Sequence, residues 1–298
     1  MLPLSVIICS HNPREDYLRR VLEALKAQTL PSKDWELLLI DNASKEPISG
    51  CFDLSWHPNA RHVREDKNPR LRGIAESKGN LLVFVDDDNV LRSDYLAACL
   101  KISATWPQLG AWSGSYLPEF ETEPPAELRP WLHGLLIEKL TDSYWATLRE
   151  YGPALPTGAG MAVRRAVAAR YREESLRDSL RQALRRNGNG LATGEDSDLA
   201  FCSIALGLGT GRFPELELTH LIPAQRLTLE YLEGIHEGFG YSGVILKAIH
   251  FKESSRPSAL NSFFLRLALL NKHPVERRIR MAEARGRRAA QLELQRLL

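Results

Sequence analysis

The chain has 298 residues, 44% of them hydrophobic and 26% charged, with a formal net charge of +2. That length holds a full core in one large domain or two small ones, and the near-neutral balance excludes a global pull on nucleic acid. Four cysteines (Cys9, Cys51, Cys99, Cys202) lie far apart with no CxxC pair, which fits unpaired, mostly buried thiols in a reducing cytosol better than a disulfide framework or zinc site.

The opening MLPLSVIICSHN has neither the basic start nor the long apolar stretch of a signal peptide. Apolar runs such as LRLALL at 265–270 are too short to span a bilayer. A cytoplasmic protein is expected, with contact to the inner face of the membrane left open.

Three short, continuously apolar runs, LSVIICS (4–10), WELLLID (35–41) and NLLVFVD (80–86), predict strands covered on both faces. Between the first two, residues 14–28 place Tyr17, Leu18, Val21, Leu22 and Leu25 at helical spacing. The β-α-β, β-α order predicts an α/β fold with a doubly wound, mostly parallel Rossmann-like sheet. A further helix is predicted over 93–105, with Ser93 as N-cap. Each strand ends in polar residues: Ser10-His11-Asn12, Asp41-Asn42 and Asp86-Asp87-Asp88-Asn89. Solvated loops account for one such end. Three at one sheet edge point to a ligand, because open α/β sheets bind beyond the carboxyl ends of their strands.

Downstream, the proline-rich, acidic 118–132 predicts a mobile loop over a cleft. PTGAGMAVRRAV (156–167) carries small residues that permit close backbone approach. Residues 170–186 read as a basic helix, NGNG (187–190) as a flexible link, 192–207 as a turn and acids opening an apolar helix, and PELELTHLI (214–222) as a strand. From about 227 the chain reads as helical and closes on arginine-rich VERRIRMAEARGRRAAQLELQRLL. Such a run is a solvated helix or one lying on anionic lipid headgroups.

The aspartate triplet carries the chemistry. Strand alternation sends Asp86 and Asp88 to one side and Asp87 to the other, a hard-oxygen pair suited to Mg2+ or Mn2+. Two enzyme classes use such a D-x-D: phosphatases of the haloacid-dehalogenase type, with Asp86 as nucleophile, and sugar transferases.

SVIICSHN, LLLIDNAS, LLVFVDDDN, TGAGMAVRR and GEDSDLAFCSIALG, in this order, resemble family 2 glycosyltransferases of the GT-A fold over residues 4–245. The resemblance implies inverting transfer from a nucleotide-diphosphate sugar, a UDP-sugar foremost, to the hydroxyl of a growing glycan or lipid-linked acceptor. It implies that Cys9, Ser10, His11, Asn12 and Asp41 hold the nucleoside, that Asp86 approaches the ribose, and that Asp88, with Asp86 and His220, binds Mn2+ or Mg2+. Asp87 is the middle residue of the motif. Glu195-Asp196 matches the family's acidic pair, with Asp196 as catalytic base; Asp198 reads as a helix-terminal acid. Arg226 is a candidate phosphate partner, Gly158-Ala159-Gly160 a sugar-pocket lining, and Trp131 a stacking platform. The stretch KNPRLRGIAESKGN is shorter than in relatives, leaving Arg70, Arg72 or Lys78 to reach the nucleotide.

The implied organisation is a transferase domain at 1–226, with a donor half at 1–115 and an acceptor half at 116–226, followed by a helical extension at 227–298. A non-catalytic binding protein on the same fold is the other reading. No GxGxxG follows the first strand, which argues against a dinucleotide dehydrogenase.

Overall fold

A computed structural model of the chain describes residues 2–184, 193–253 and 256–297; the NGNG run at 187–190 lies outside them. The chain divides into two compact units. The first comprises Met1–Glu119, Glu138–Glu173 and Leu199–Leu221, the second Phe120–Ile137, Glu174–Asp198 and Ile222–Leu298.

In chain order the elements are β1 (Leu4–Ser10), α1 (Glu15–Lys26), β2 (Trp35–Asp41), β3 (Ala60–Arg64), α2 (Pro69–Glu76), β4 (Leu81–Val85), β5 (Asn89–Leu91) and α3 (Tyr95–Thr105). There follow β6 (Leu109–Phe120), β7 (Tyr144–Ala146), β8 (Ala162–Arg164), α4 (Arg165–Arg177), α5 (Ser179–Ala183) and α6 (Glu195–Ala205). The last are β9 (Gly209–Ile222), α7 (Leu229–Phe251), α8 (Ala259–Ala268) and α9 (Pro274–Leu297).

One sheet of nine strands, in the order β3-β2-β1-β4-β8-β6-β9-β5 with β7 on β9, forms the first unit. The four strands β3-β2-β1-β4 are parallel, while β8 joins β4, and β5 and β7 join β9, antiparallel. The expected α/β architecture is present, with its parallel part in the first third of the chain. All of β2 and β4, and all but one residue of β1, are buried, as their unbroken apolar runs require when both faces are covered. One face packs Ile7, Leu38, Phe84 and Val163 with Leu199 and Cys202 of α6. Helix α1 buries Leu18, Val21, Leu22 and Leu25, the stripe its spacing predicts.

Several elements differ from expectation. Strand β3, ARHVR, is half-buried and sits at the sheet edge, so it has neither the apolar run nor the alternation that marks a strand. Ser93 does not cap α3; the cap position is Asp94, without a side-chain bond, and the Ser93 carbonyl accepts the Thr29 N–H at 2.8 Å. The basic helix predicted over 170–186 is two helices, α4 and α5, and β9 starts five residues ahead of the predicted strand.

The segment 118–132 is not a loose loop. Strand β6 runs to Phe120, and a 3-10 segment, Ala126–Leu135, buries Leu128, Leu132 and Leu135 in the core of the second unit. Leucines three and four apart outweigh the prolines. That core is completed by Leu232, Val275 and Ile279 of α7 and α9. These two helices run parallel, since partners rise together along both: Glu230 and Glu233 with Arg278, Glu237 with Arg285, Tyr241 with Glu293. They meet at two glycines. A Cβ on Gly240 would lie 2.0 Å from the Glu283 carbonyl oxygen, and one on Gly286 1.8 Å from that of Glu237, so only glycine permits this approach.

Candidate active site

The parallel register decides what meets at the carboxyl edge of the sheet. Ser10 pairs with Asp41, and Asp41 with Arg64, so the last residues of β1, β2 and β3 stand in one row. Strand β4 ends beside them, its Val85 opposite Ile8.

Two loops leave this row and are tied to each other. The Asn42 N–H donates to the Ser10 carbonyl at 2.8 Å, and His11 Nδ1 donates to the Asn42 carbonyl at 2.6 Å. The Asn12 N–H donates to Ser44 Oγ, and its side-chain oxygen accepts the Lys45 N–H, both at 2.9 Å. Asn12 and Ala43 take left-handed backbone conformations, with φ of 47° and 53°. Such strain, on the order of 1–3 kcal/mol per residue, gathers at ligand sites. His11 and Asn12 are exposed, whereas Cys9 is turned inward and packs against the core.

Asp41 is buried and holds its own loop. Its carboxylate accepts the Ser44 N–H at 2.9 Å, the Ile48 N–H at 3.4 Å and Arg64 Nη1 at 2.9 Å. Burial opposes its ionisation, but the Ser44 backbone and hydroxyl, the Ile48 N–H and the Arg64 guanidinium together hold the carboxyl below the usual range. The sequence reading had Asp41 receive a nucleobase and missed Arg64, because β3 was missed.

The aspartate triplet is a turn, not a strand continuation. The Asn89 N–H donates to the Asp86 carbonyl at 3.1 Å, and β5 begins at Asn89. Strand alternation therefore does not govern these side chains, and the expectation that Asp86 and Asp88 share a side on that ground is withdrawn. Asp86 is exposed, Asp87 half-buried and Asp88 buried. Asp87 accepts the Ser10 hydroxyl, joining the end of β1 to the turn. Asp88 accepts the Asn89 amide at 2.9 Å, and its second oxygen lies 3.6 Å from His220 Nε2. Register places the histidine there: β5 pairs with β9 with Asn89 opposite His220, and the Leu221 N–H fixes the Asp88 carbonyl at 2.9 Å.

Among the described residues no three His, Cys, Asp or Glu side chains gather as a closed metal cage. Asp88 and His220 offer a carboxylate and an imidazole side by side. The carboxylate suits a hard divalent cation that completes its shell with water and phosphate oxygens, and an added imidazole favours a transition ion over magnesium.

Beside β4, the Met161 carbonyl accepts the Phe84 N–H at 2.9 Å, which sets the turn Gly158-Ala159-Gly160 next to the edge. Gly160 has φ of 68°, its carbonyl accepts the Tyr95 hydroxyl at 2.9 Å, and a Cβ there would lie 2.3 Å from that hydroxyl. Arg70, in the first turn of α2, lies with its guanidinium 5.3 Å over the Phe84 ring, near the same edge. Arg72 instead pairs with Glu76 at 2.9 Å. Lys78 is misplaced by the sequence reading. It precedes β4, its N–H donates to Glu36 at the start of β2, and the length of β4, about 17 Å at strand rise, separates it from the aspartate turn.

Glu195 and Asp196, half-buried in the first turn of α6, belong to the second unit, as do Arg226 and Trp131. Arg280 lies 5.5 Å over the Trp131 ring and His236 packs edge-on to it, so the tryptophan already has partners on its own unit. Asp198 is no surface cap: it is fully buried and accepts Arg181 Nη1 and, at 2.7 Å, His250 Nε2.

Tied loops and an acidic turn thus stand together at the carboxyl edge of a parallel α/β half, where open sheets bind their ligands. Residues 5–125 match the family described as Glycosyl transferase family 2. Glycosyltransferase AglE of Haloferax volcanii is 32% identical over 93 residues, a match that spans 28% of this chain and 30% of AglE. The fold is that of TarS 1–349 of S. aureus. Its UDP-GlcNAc complex superposes with a TM-score of 0.55 at 9% identity, covering 99% of this chain and 92% of that one. Its UDP complex gives 0.51 at 13% identity with the same coverage.

Proposed function

We propose that the chain is an inverting, metal-dependent glycosyltransferase that moves a sugar from a nucleotide-diphosphate donor, a UDP-sugar foremost, to a hydroxyl acceptor. The observation that carries this reading is the acidic turn at the sheet edge. Ser10 holds Asp87 within the segment that matches the family 2 model, and Asp88 of that segment stands against His220 of β9. The UDP and UDP-GlcNAc complexes of TarS, on the same fold, support the choice of donor.

The nucleoside lies over the loops at Ser10–Asn12 and Asp41–Ser44. Because Asp41 is engaged by Arg64 and its own loop, it acts chiefly by fixing the backbone that meets the base. Asp86, exposed at the head of the turn, takes a ribose hydroxyl. Asp88 and His220 would hold Mn2+ or Mg2+, which when bound supplies positive charge against the departing diphosphate. Asp196 accepts the proton of the acceptor hydroxyl while that oxygen bonds to the anomeric carbon. The carbon–oxygen bond to the diphosphate breaks on the opposite face, and its electron pair leaves with the nucleotide. Glu195 lies beside the base in the same turn. The acceptor belongs to a growing glycan or lipid-linked precursor on the cytoplasmic side.

The family 2 match sets the phosphatase reading aside. Calorimetric titration of UDP, GDP and dTDP, with manganese and with chelator, on wild type and Asp88→Ala tests the proposal. Manganese-dependent binding of one nucleotide, lost in the variant, is expected. Binding without turnover in any sugar-transfer screen would favour a non-catalytic member of the fold, and no binding would refute the donor site.

A further inference from the structure

The basic C-terminal helix reads from its sequence as solvated or as lying on lipid headgroups, and most of its charge has another use. Of the seven arginines in α9, Arg278 and Arg285 pair with glutamates of α7, and Arg280 and Arg287 with Glu283. Its apolar residues Val275, Ile279, Ala282, Ala290 and Leu294 are buried. Helix α9 is thus a structural helix lashed to α7.

Helix α8 is built the other way round. Leu260, Phe263, Phe264, Leu267 and, just past its end, Leu270 are 62%, 56%, 57%, 47% and 63% exposed. Their spacing of i, i+3, i+4, i+7 and i+10 lines one helical face. Leu269 is buried and Leu265 half-buried on the opposite face, so the helix is anchored by one apolar side and presents another outward. A surface helix ordinarily turns polar residues to water. This one is apolar on both faces, the pattern of a helix that is covered on both.

We propose that α8 is an interfacial element that lays Leu260, Phe263, Phe264, Leu267 and Leu270 into the surface of an anionic lipid bilayer. Charge identifies the cover. Residues 252–272 carry Lys252, Arg256, Arg266 and Lys272 against the single acid Glu253, and all four cations are exposed; Lys272 pairs with Glu276 at 3.4 Å, so Lys252, Arg256 and Arg266 carry the charge argument. The segment is therefore more positive than the chain as a whole, at +2. Arg266 sits three residues past Phe263 and four before Leu270, at the flank of the apolar face, where a headgroup phosphate would lie beside a side chain inserted among acyl chains. A second copy related by a two-fold axis would oppose like charges across the same patch. A convex helix face also gives a peptide no groove. Ten residues rise about 15 Å, half of a hydrocarbon core, so the helix lies in the surface plane. No described helix is long and apolar enough to cross a membrane.

This refines the location in which a lipid-linked acceptor would be met, but vesicle binding needs no turnover, so it can fail while the nucleotide titration succeeds, and the reverse. The test is co-sedimentation of the full chain with phosphatidylcholine vesicles, with and without phosphatidylglycerol, for wild type and F263E/F264E. Binding to the anionic vesicles only, weakened by salt, is expected. It should fall on the order of a hundredfold in the variant, about tenfold per phenylalanine. Circular dichroism and UDP affinity should not change. Three results would each overturn the proposal: no binding of wild type to anionic vesicles, equal binding of the variant, or a wild-type dimer that F263E/F264E converts to monomer without any vesicle binding.

Discussion

Arg181→Met is the sharpest perturbation of the second unit. Arg181 is nearly fully buried and pairs with Glu174 and with Asp198, whose side chain is 1% exposed; Asp178 lies 3.8 Å away. Methionine keeps much of the length and removes the charge, leaving Asp198 in a dry site with only the His250 Nε2 donor at 2.7 Å. Breaking a buried ion pair from one side costs about 3–5 kcal/mol. The surviving histidine bond, and the freedom of the partly exposed Glu174 to turn to water, place this case at the lower end, about 3 kcal/mol. With a urea slope of about 2–3 kcal/mol per molar, the unfolding midpoint should fall by about 1 M. Far-UV circular dichroism follows it.

The companion is Arg181→Met with Asp198→Leu, which removes both buried charges. It should recover much of the loss, since a pair replaced together costs little. A loss below about 1 kcal/mol in the single variant, or a double variant no better than the single, would refute the account of Asp198 as a paired buried charge. Asp198 stands two residues after Asp196 in α6, so in the assayed enzyme the single variant should lower kcat and leave UDP affinity, set in the first unit, unchanged.

Three further outcomes follow from the site. Because the native carboxyl of Asp41 is depressed, its stabilisation is complete above about pH 4 and is lost as pH falls through the native value; Asp41→Asn should flatten the acid limb of a stability–pH curve, and an unaltered limb would show that the Ser44, Ile48 and Arg64 bonds contribute nothing. Gly160→Ala forces a side chain onto Tyr95 in a left-handed conformation and should cost roughly 2–5 kcal/mol in a thermal or urea melt; an asparagine would meet the same hydroxyl, so a neutral Gly160→Asn would contradict the packing. Asp196→Asn should abolish transfer while preserving metal-dependent UDP binding, and retained transfer would move the base elsewhere.

What the sequence made legible follows physical lines. The strands that hold the site, β1, β2 and β4, announce themselves because burial on both faces demands an unbroken apolar run. Their polar ends could be assigned to one edge before any coordinates. Strand β3 escaped because an edge strand is half-buried and needs no pattern, and Arg64 escaped with it. Lys78 was offered to the nucleotide as one of the basic residues in a stretch shorter than in relatives, yet a residue before a strand and a residue after it lie at opposite edges of the sheet. The segment at 118–132 was read through its prolines, while Leu128, Leu132 and Leu135 carried the signal that mattered. His220 was legible only as a lone histidine at a strand end; its meaning comes from an antiparallel register that no local pattern encodes.

The three adjacent carboxylates pose a problem that the fold answers in two ways. Strand geometry would have stacked Asp86 and Asp88 on one side, against each other. The turn instead fans the triplet into three environments. Asp87 goes to the Ser10 hydroxyl, Asp88 inward beside His220 and the Asn89 amide, and Asp86 is exposed. Separate environments lower the mutual repulsion, so the triplet alone is not evidence that a metal is needed for folding. The acids can be stable in the apo protein and still be poised for one. Chelator should therefore leave the unfolding midpoint unchanged while removing nucleotide affinity, and a chelator-induced loss of stability would mean that the turn relies on a bound ion to hold its shape.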